Sequence, residues 1–443
     1  MSRLFGTDGV RGVANADLSP ELAFKLGFAG ALVLGRGKFV IGRDPRASGK
    51  MLESAVVAGT CAAGADVLLV GVMPTPAIAY LTKALEAAGG VAISASHNPA
   101  VYNGIKFFNS DGFKLSDELE NKIESSLSLV EEVERPIGAS IGRVDDDRSQ
   151  AEELYVEHAL SVLGGSLKGI RIAVDCANGA AYRLAPKVLR MAGAQVKALC
   201  CSPDGDNINR NCGSTNIDFV RNAVLQGDYD IGLAHDGDAD RVVAVDAGGE
   251  VVDGDFIMAI CGAHMKEKGL LPNDEIVATI MTNMGFDIAM KELGIRVVKT
   301  KVGDRYVLDE MLKRGAGLGG EQSGHVIFLE HATTGDGIIT ALRLLDVMRE
   351  TRLPLSELRK IMRRLPLVHL TVHVPSDVDV LESERVKESI AAAEKRLGDS
   401  GRILVRASGT EPLVRVMVEA PTDADAHEIA AEVAEVISGE IEG

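Results

Sequence analysis

The sequence contains no tryptophan, and phenylalanine and tyrosine contribute only 11 and 6 of its 443 residues. Proteins that bind nucleic acids without strong sequence preference stack bases on aromatic side chains and neutralise phosphates with a basic surface. This chain is poor in aromatic residues, and its formal net charge is -17 at pH 7. The composition therefore disfavours nucleic acid as a partner.

Long apolar runs are missing as well, since no stretch approaches the roughly 18 apolar residues of a membrane span. The most apolar early stretch has Ser19 as N-cap, Pro20 at the first helical position and Gly35 after its end, which predicts an ordinary buried helix. The N-terminal MSRLFGTDGVRG has no apolar signal-peptide core. We therefore expect a cytoplasmic protein that does not bind membranes.

The six cysteines show neither a C-x-x-C pair nor a zinc-type spacing. Disulfides are rare in reducing compartments, and unpaired cysteines are among the most buried residues. The cysteine pattern therefore predicts reduced, mostly buried thiols.

The chain is long enough for several domains, and 46% of its residues are hydrophobic. Three segments repeat the order strand, helix, strand, helix, strand. The predicted strands are FVIGRD, ADVLLVGV and GVAIS in the first segment, IRIAVD, AQVKALC and YDIGLA in the second, and EIVATIM, IRVVKT and AGLGG in the third. Strands rich in valine and isoleucine that alternate with helices predict βαβ units with mostly parallel sheets.

Changes in pattern divide the chain into domains. An acidic, turn-rich stretch at 131–150 resembles a surface linker, and a second join falls at 248–255. The C-terminal part has two strand-like stretches that alternate with two helices rich in glutamate and alanine. We expect three related α/β domains and a smaller α+β domain, with boundaries at 1–149, 150–252, 253–367 and 368–443.

The third strand of each repeat runs into a polar cluster: SASHNP in the first repeat, HDGDADR in the second and GEQSGH in the third. Ligands of open α/β sheets bind beyond the carboxyl ends of the strands. Each cluster alone would suit a turn. Three clusters at the same topological position favour function.

HDGDADR carries Asp236, Asp238 and Asp240 at a spacing of two, so an extended segment would direct all three carboxylates to one side. Converging like charges are costly unless a cation neutralises them. A calcium loop is excluded, because Arg241 and Ala247 stand where that loop needs glycine and glutamate. The cluster favours Mg²⁺ acting on a phosphate oxygen, with a solvated acidic turn as the alternative.

RASGTEPLVR near the C-terminus combines small residues, hydroxyls and two arginines around a tight turn. The residues concerned are Arg406, Ser408, Gly409, Thr410 and Arg415. Exposed backbone N–H groups, hydroxyls and guanidinium groups are the donors that hold a phosphate. A phosphate cradle and a plain hairpin loop explain this stretch equally well.

Three weaker signals remain. In GEQSGH, the side chains of Glu321, Ser323 and His325 could hydrogen-bond sugar hydroxyls or an amine. In FGTDGVRG, Arg11 could face an anion. A simple turn would explain either motif as well. GASIG matches the nucleophile elbow of α/β-hydrolases, which requires a strand before the serine and a helix after it. Because Ser140 lies between an acidic run and RVDDD, we assign it to the linker.

GTDGVRG, SASHNP, DGDADR, GEQSGH and RASGTEP follow one another along essentially the whole chain. This ordered set resembles the α-D-phosphohexomutase superfamily, and most closely its bacterial-type phosphoglucosamine mutase branch. The resemblance implies three related α/β domains around a central cleft and a fourth domain that caps the cleft.

The resemblance also implies residue roles. Ser96 would carry a phosphoryl group and, together with Asp236, Asp238 and Asp240, would hold one Mg²⁺ per chain. The residues implied near the transferred phosphoryl group are Arg11, His97 and Lys106. Those implied in substrate binding are Arg241, Glu321, Ser323 and His325. Those implied at the non-reacting phosphate are Arg406, Ser408, Gly409, Thr410 and Arg415.

The implied reaction interconverts glucosamine 6-phosphate and glucosamine 1-phosphate through a hexosamine 1,6-bisphosphate and feeds UDP-N-acetylglucosamine synthesis. The small-molecule partner would be a hexosamine phosphate, and glucosamine or glucose 1,6-bisphosphate would act as activator. The family also implies a homodimer. Phosphomannomutase or phosphoglucomutase activity, a metal-dependent phosphatase and a non-catalytic sugar-phosphate binder are the alternatives.

Overall fold

The computed structural model describes residues 3–6, 8–374, 380–407 and 412–442. The chain forms two compact units. Unit 1 spans 1–280 and 298–359, and unit 2 spans 281–297 and 360–443.

The first sheet of unit 1 has six strands. They are β1 (Val10–Val13), β2 (Lys38–Arg43), β3 (Asp66–Val72), β4 (Gly89–Ile93), β5 (Tyr102–Asn109) and β6 (Val144–Asp146), in the spatial order β1-β5-β4-β2-β3-β6. The associated helices are α1 (Pro20–Leu34), α2 (Gly49–Ala62), α3 (Thr75–Ala84), α4 (Asp117–Ser126) and α5 (Arg148–Ser161). Strands β2, β3 and β4 pair in parallel, as the first repeat predicts.

Helix α1 begins and ends where its capping residues predict. The Ser19 hydroxyl accepts a hydrogen bond from the Leu22 N–H at 3.2 Å, and Gly35 follows the last helical residue. Among the residues that the structure describes, no helix is both long enough and apolar enough to cross a membrane.

The second sheet contains β7 (Arg171–Asp175), β8 (Gln195–Leu199), β9 (Ile231–His235), β10 (Val242–Asp246) and β11 (Val251–Val252), in the order β11-β10-β9-β7-β8. Its helices are α6 (Leu184–Met191) and α7 (Asp218–Gln226). The three strands of the second repeat are again parallel, with β7 between β8 and β9.

The third sheet contains β12 (Glu275–Thr279), β13 (Arg296–Thr300), β14 (Leu318–Gly320) and β15 (Val326–Phe328), in the order β13-β12-β14-β15. The helices of this part of the chain are α8 (Gly254–Glu267), α9 (Met284–Glu292), α10 (Asp304–Arg314), α11 (Gly337–Thr351) and α12 (Leu355–Leu358). Helix α9 belongs to unit 2.

Each of the three sheets also contains an antiparallel strand that directly follows the third strand of its repeat. These hairpins join β4 to β5, β9 to β10 and β14 to β15. The sequence repeat predicts only the parallel strands, because apolar runs such as VVAVD and VIF are too short to be distinguished from helix or loop by periodicity. All three polar clusters therefore lie in hairpin connections, where a strand on either side fixes them.

The stretch at 131–150 differs from the predicted linker. Its residues Val144–Asp146 form β6, which pairs in parallel with β3 at the edge of the first sheet, and α5 begins at Arg148. The side chains of β6 are exposed, so the sequence shows none of the apolar alternation typical of a strand.

The C-terminal part of unit 2 is an α+β domain, as predicted. Strands β16 (Leu367–His373), β17 (Arg402–Ala407) and β18 (Leu413–Glu419) form an antiparallel sheet in the order β16-β18-β17, and helices α13 (Glu384–Leu397) and α14 (Asp423–Glu442) accompany it. Val386, Val416 and Ile429 lie in its buried core. The predicted fold class, three α/β domains and a smaller α+β domain, is confirmed.

A buried polar network joins α9 to this sheet within unit 2. The amide of Asn283, the N-cap of α9, donates to the Leu365 carbonyl and to the Glu419 carboxylate, each at 3.1 Å. Glu419 also accepts from the Met284 N–H at 2.9 Å and pairs with Arg402 at 2.8 Å. One buried carboxylate thus caps a helix and links it to the sheet.

Candidate active site

Ser96 lies in the β4–β5 hairpin connection and is buried, with an exposed fraction of 1%. Its hydroxyl donates a hydrogen bond to the Asp236 carboxylate at 2.5 Å, although the two residues are far apart in sequence. Its φ of 50° lies in the left-handed region, where a residue other than glycine is strained. Such strain persists only where the surrounding contacts enforce it.

Arg46 makes most of the contacts that hold this backbone conformation. The buried guanidinium donates to four carbonyl oxygens of the serine loop, those of Ser96 (2.9 Å), Asn98 (2.8 Å), Pro99 (2.5 Å) and Tyr102 (3.0 Å). Its Nε pairs with Asp44 at 2.8 Å, and Asp44 also accepts from the Ser94 hydroxyl at 2.5 Å. Ser94 therefore belongs to the support of the loop, and Ser96 is the serine that faces the carboxylates.

The second domain contributes two further contacts to the serine loop. The Asn209 amide donates to the carbonyls of Ser96 at 2.9 Å and Asn98 at 3.2 Å. A Cβ at Gly237 would lie 2.4 Å from the Ser96 carbonyl oxygen, so only glycine permits this approach. Neither Arg46 nor Asn209 was among the predicted site residues. The charged GRDPR, which begins in β2 and runs past its end, could have indicated Arg46. The sequence around Asn209 shows no pattern that would have indicated its contact with the serine loop.

Asp236, Asp238 and Asp240 converge as predicted, but for a different reason. Each offers an oxygen atom within 4.8 Å of the others, and all three side chains are buried. The segment is a tight turn instead of an extended strand, with Ala239 in the left-handed region at φ 59°. The carboxylates therefore meet because the backbone turns, and not because side chains alternate along an extended strand as predicted.

The carboxylate cluster has the chemistry of a site for a hard divalent cation. Burial, together with the neighbouring carboxylates of Asp240 and Asp238, raises the pKa of Asp236 well above its ordinary value. One oxygen of Asp238 and one of Asp240 are buried and have no hydrogen-bond partner among the residues that the structure describes. Oxygen ligands of this kind suit Mg²⁺, and a bound cation would satisfy both atoms.

Lys106 and Arg11 bring positive charge to the same place. Lys106, buried on β5, contacts Asp238 and Asp8, each at 2.8 Å. Arg11 on β1 pairs with Asp8, and no described residue hydrogen-bonds its buried Nε. Asp238 also accepts from the Thr75 hydroxyl at 2.8 Å. The structure therefore places both predicted cations beside the carboxylates.

Asp8 is the common partner of these cations, a role that the sequence did not reveal. Besides Lys106 and Arg11 it contacts Lys114 at 2.5 Å, and Lys114 also pairs with Asp304. Although burial alone would raise the pKa of Asp8, the charges of Lys106, Lys114 and Arg11 hold it well below its ordinary value. Asp8 is thus a permanent anion that positions three cations.

His97 and Arg241 complete the polar surroundings of Ser96. The Nδ1 atom of His97 lies 3.5 Å from the Ser96 hydroxyl and 3.3 Å from the Arg241 guanidinium. Burial and the positive charges of Arg241 and Arg11 lower the pKa of His97 below its ordinary value. The backbone N–H of Arg241 donates to Asp236 at 3.2 Å. His97 is therefore a neutral neighbour of Ser96 near pH 7.

The GEQSGH cluster separates into two parts. The Glu321 carboxylate accepts from the Gly303 N–H at 3.0 Å and from the hydroxyl of the exposed Ser323 at 3.4 Å. His325 is buried, with Nδ1 3.5 Å from Asp240 and Nε2 accepting from the Gly335 N–H at 3.0 Å. Since both ring nitrogens already face protein groups, the position of His325 differs from the predicted substrate contact and supports Asp240 instead.

The predicted phosphate cradle lies in unit 2. Arg406 on β17 and Arg415 on β18 are directly opposed across the hairpin. Both side chains are exposed. Ser408, Gly409 and Thr410 lie outside the described residues.

Comparison with known proteins matches most of the chain to the four domains of one family. Phosphoglucomutase/phosphomannomutase family models match their α/β/α domains I, II and III at 2–134, 153–249 and 253–365, and their C-terminal domain at 367–436. The chain is 56% identical to phosphoglucosamine mutase of Pelotomaculum thermopropionicum, with 99% of both chains covered. It is 53% identical to the Symbiobacterium thermophilum protein of the same name, with 100% of both covered.

Solved structures show the same fold at lower sequence identity. A phosphoglucomutase/phosphomannomutase family protein from Burkholderia thailandensis matches with a TM-score of 0.82 and 23% identity, covering 99% of this chain and 98% of that one. Aspergillus fumigatus N-acetylphosphoglucosamine mutase, in complex with GlcNAc-6P and magnesium, matches with a TM-score of 0.69 and 19% identity, covering 99% and 96%.

Replacing the buried guanidinium, as in Arg46→Met, should destabilise the protein by about 3 to 5 kcal/mol, because Asp44 would keep a buried charge without its partner. Calorimetric thermal unfolding measures this loss. The control Arg36→Met alters an exposed arginine and should change stability by less than about 0.5 kcal/mol. Equal unfolding temperatures for the two variants would contradict the assigned role of Arg46.

Proposed function

This chain belongs to the phosphoglucomutase/phosphomannomutase family, and we propose that it is a phosphoglucosamine mutase that interconverts glucosamine 6-phosphate and glucosamine 1-phosphate. The proposal is supported above all by the Ser96 hydroxyl, which lies 2.5 Å from a buried carboxylate cluster and close to buried cations. The names of its 50 to 56% identical relatives support the choice of substrate.

In this proposal Ser96 carries a phosphoryl group. The Oγ–P bond of phosphoserine breaks while the free hydroxyl oxygen of a hexosamine monophosphate bonds to phosphorus, which yields a 1,6-bisphosphate. The attacking hydroxyl gives its proton to solvent, and the Ser96 oxygen takes one proton from solvent, so the step balances. The restored Ser96 hydroxyl then donates a hydrogen bond to Asp236. The bisphosphate turns over and returns its other phosphate to Ser96, so the serine is regenerated in its phosphorylated form.

Positioning and charge stabilisation supply most of the rate in phosphoryl transfer. Arg46 and Asn209 hold the Ser96 carbonyl, so the oxygen that carries the phosphoryl group has a fixed position. Lys106 and Arg11, both oriented by Asp8, lie where negative charge on the transferred group develops. Asp236, Asp238 and Asp240 would hold one Mg²⁺ per chain, which would neutralise charge on phosphate oxygens.

Recognition of the sugar is assigned to Glu321, Ser323 and Arg241. Glu321 and Ser323 lie in the third hairpin connection, and one oxygen of Glu321 is held by the Gly303 N–H. A carboxylate there would pair with the protonated 2-amine of a hexosamine. We assign His325 to the support of Asp240.

Arg406 and Arg415, with Ser408, Gly409 and Thr410, are proposed to hold the phosphate that does not react. Activation by a hexose 1,6-bisphosphate and assembly as a homodimer stay predictions from the family resemblance.

Coupled assays with glucosamine, mannose and glucose phosphates test the proposed reaction. With Mg²⁺ and a catalytic amount of glucose 1,6-bisphosphate, we expect the largest kcat/KM for the glucosamine phosphates and no stoichiometric release of inorganic phosphate. Preference for mannose or glucose phosphates would contradict the amino-sugar assignment. Stoichiometric release of phosphate would instead identify a phosphatase.

Ser96→Ala should reduce mutase activity by at least about 1,000-fold, because no other residue can replace the phosphorylated oxygen. Circular dichroism should show an unchanged fold. The matched control is Ser140→Ala, which alters the exposed serine of GASIG and should keep full activity. Near-normal turnover by Ser96→Ala would disprove the phosphoserine role.

Arg415→Ala should raise KM about 10- to 100-fold, since a hydrogen bond to a charged group contributes about 1.5 to 3 kcal/mol. Binding of Mg²⁺, followed by titration calorimetry, should not change. The control Arg385→Ala removes an exposed arginine of the same unit and should leave KM as it is. An unchanged KM for Arg415→Ala would indicate that the hairpin is only a turn.

A further inference from the structure

Unit 1 contains a second cluster of possible metal ligands outside the candidate active site. A carboxylate oxygen of Asp175 and the sulfur atoms of Cys200 and Cys212 lie within 4.8 Å of one another. Asp175 is the last residue of β7, Cys200 follows β8, and Cys212 precedes α7. The cluster therefore forms at the carboxyl ends of two parallel strands, the position where open α/β sheets bind ligands.

The donor set determines which ion would fit. Two thiolates and one carboxylate suit a borderline or soft transition-metal ion, whereas Mg²⁺ requires oxygen ligands. Zinc binds sulfur at about 2.3 Å and carboxylate oxygen at about 2.0 to 2.2 Å, which places its ligand atoms within a few ångströms of one another. The separations in this cluster are compatible with that arrangement.

Hydrogen bonds from surrounding groups fix the orientation of two of these side chains. The two oxygens of Asp175 accept from the backbone N–H groups of Ala177 and Gly213, each at 2.8 Å. The amide of Asn178 donates to the Cys212 sulfur at 4.0 Å. Such outer contacts orient the ligands of natural metal sites. Asp175 and Cys212 are buried, whereas the half-buried Cys200 gives an ion access to the cluster.

We propose that Asp175, Cys200 and Cys212 form a second metal site, for Zn²⁺ or a similar divalent transition-metal ion. Binding would replace the two thiol protons, which are released to solvent, and would leave both sulfurs as thiolates bonded to the ion. The site is separate from the three-aspartate cluster, and its existence does not depend on the proposed mutase reaction.

A metal ion at this site would also affect the segment that contacts the serine loop. Residues 201–211 form the chain between the two sulfur ligands, and this segment carries Asn209, whose amide holds the Ser96 and Asn98 carbonyls. The Asn209 N–H also donates to the Ala177 carbonyl at 2.9 Å, beside Asp175. A bound ion would therefore join the two ends of the segment that positions the serine loop.

Cobalt absorption tests the site directly. Reduced full-length protein in saturating Mg²⁺, which occupies the three-aspartate cluster, should develop thiolate-to-cobalt charge-transfer absorption that saturates at one Co²⁺ per chain. Zn²⁺ should abolish that absorption. Cys200→Ser and Cys212→Ser should lose it, whereas the adjacent Cys201→Ser, a matched control, should retain it.

A measurement on the wild-type protein avoids any effect of the variants on folding. Zn²⁺ should slow alkylation of the half-buried Cys200 by N-ethylmaleimide at least about 10-fold, as mapped by mass spectrometry, and should leave Cys201 unprotected. Absence of the charge-transfer absorption in the wild-type protein, its retention in both cluster variants, or equal alkylation with and without Zn²⁺ would overturn the proposal.

Discussion

The close approach of the Ser96 loop to the buried carboxylate of Asp236 is the constraint on which the candidate active site depends. It requires a buried carboxylate to lie beside two others and a serine to adopt a strained backbone conformation. Neither condition is stable by itself. Lys106 offsets the charge of the aspartates, and Arg46 holds the backbone of the serine loop, so the site exists because buried cations offset both costs.

The three hairpins explain how the same order of strands and helices can carry three different sets of functional residues. In each sheet the connection between a parallel strand and the following antiparallel strand is anchored at both ends by sheet hydrogen bonds. The connection can then change its residues without loss of the scaffold. Ser96, the aspartates and Glu321 occupy equivalent connections, and the contact between His325 and Asp240 links the second connection to the third.

The fold class and the main site residues could be predicted from the sequence because both leave local patterns. Alternating strands and helices define the sheets, and polar clusters after apolar strands indicate the serine loop and the aspartates, whereas the choice of Ser96 within its loop came from the family resemblance. Asp8, Arg46 and Asn209 act through contacts with residues distant in sequence, which leave no spacing to recognise. The same limit applies to Asp175, Cys200 and Cys212, which resemble no metal motif until the strands bring them together.

The polar network around Glu419 has a consequence for how the protein can be divided. The sequence repeat assigns α9 to the third α/β domain. Its N-cap, Asn283, nevertheless donates a hydrogen bond to the carboxylate of Glu419, the last residue of β18. A fragment that ended at residue 367 would leave the amide of Asn283 and the N–H of Met284 without this acceptor. The boundaries of the sequence repeats and the boundaries of the compact units are therefore different, and a residue near the end of the chain completes the N-terminus of α9.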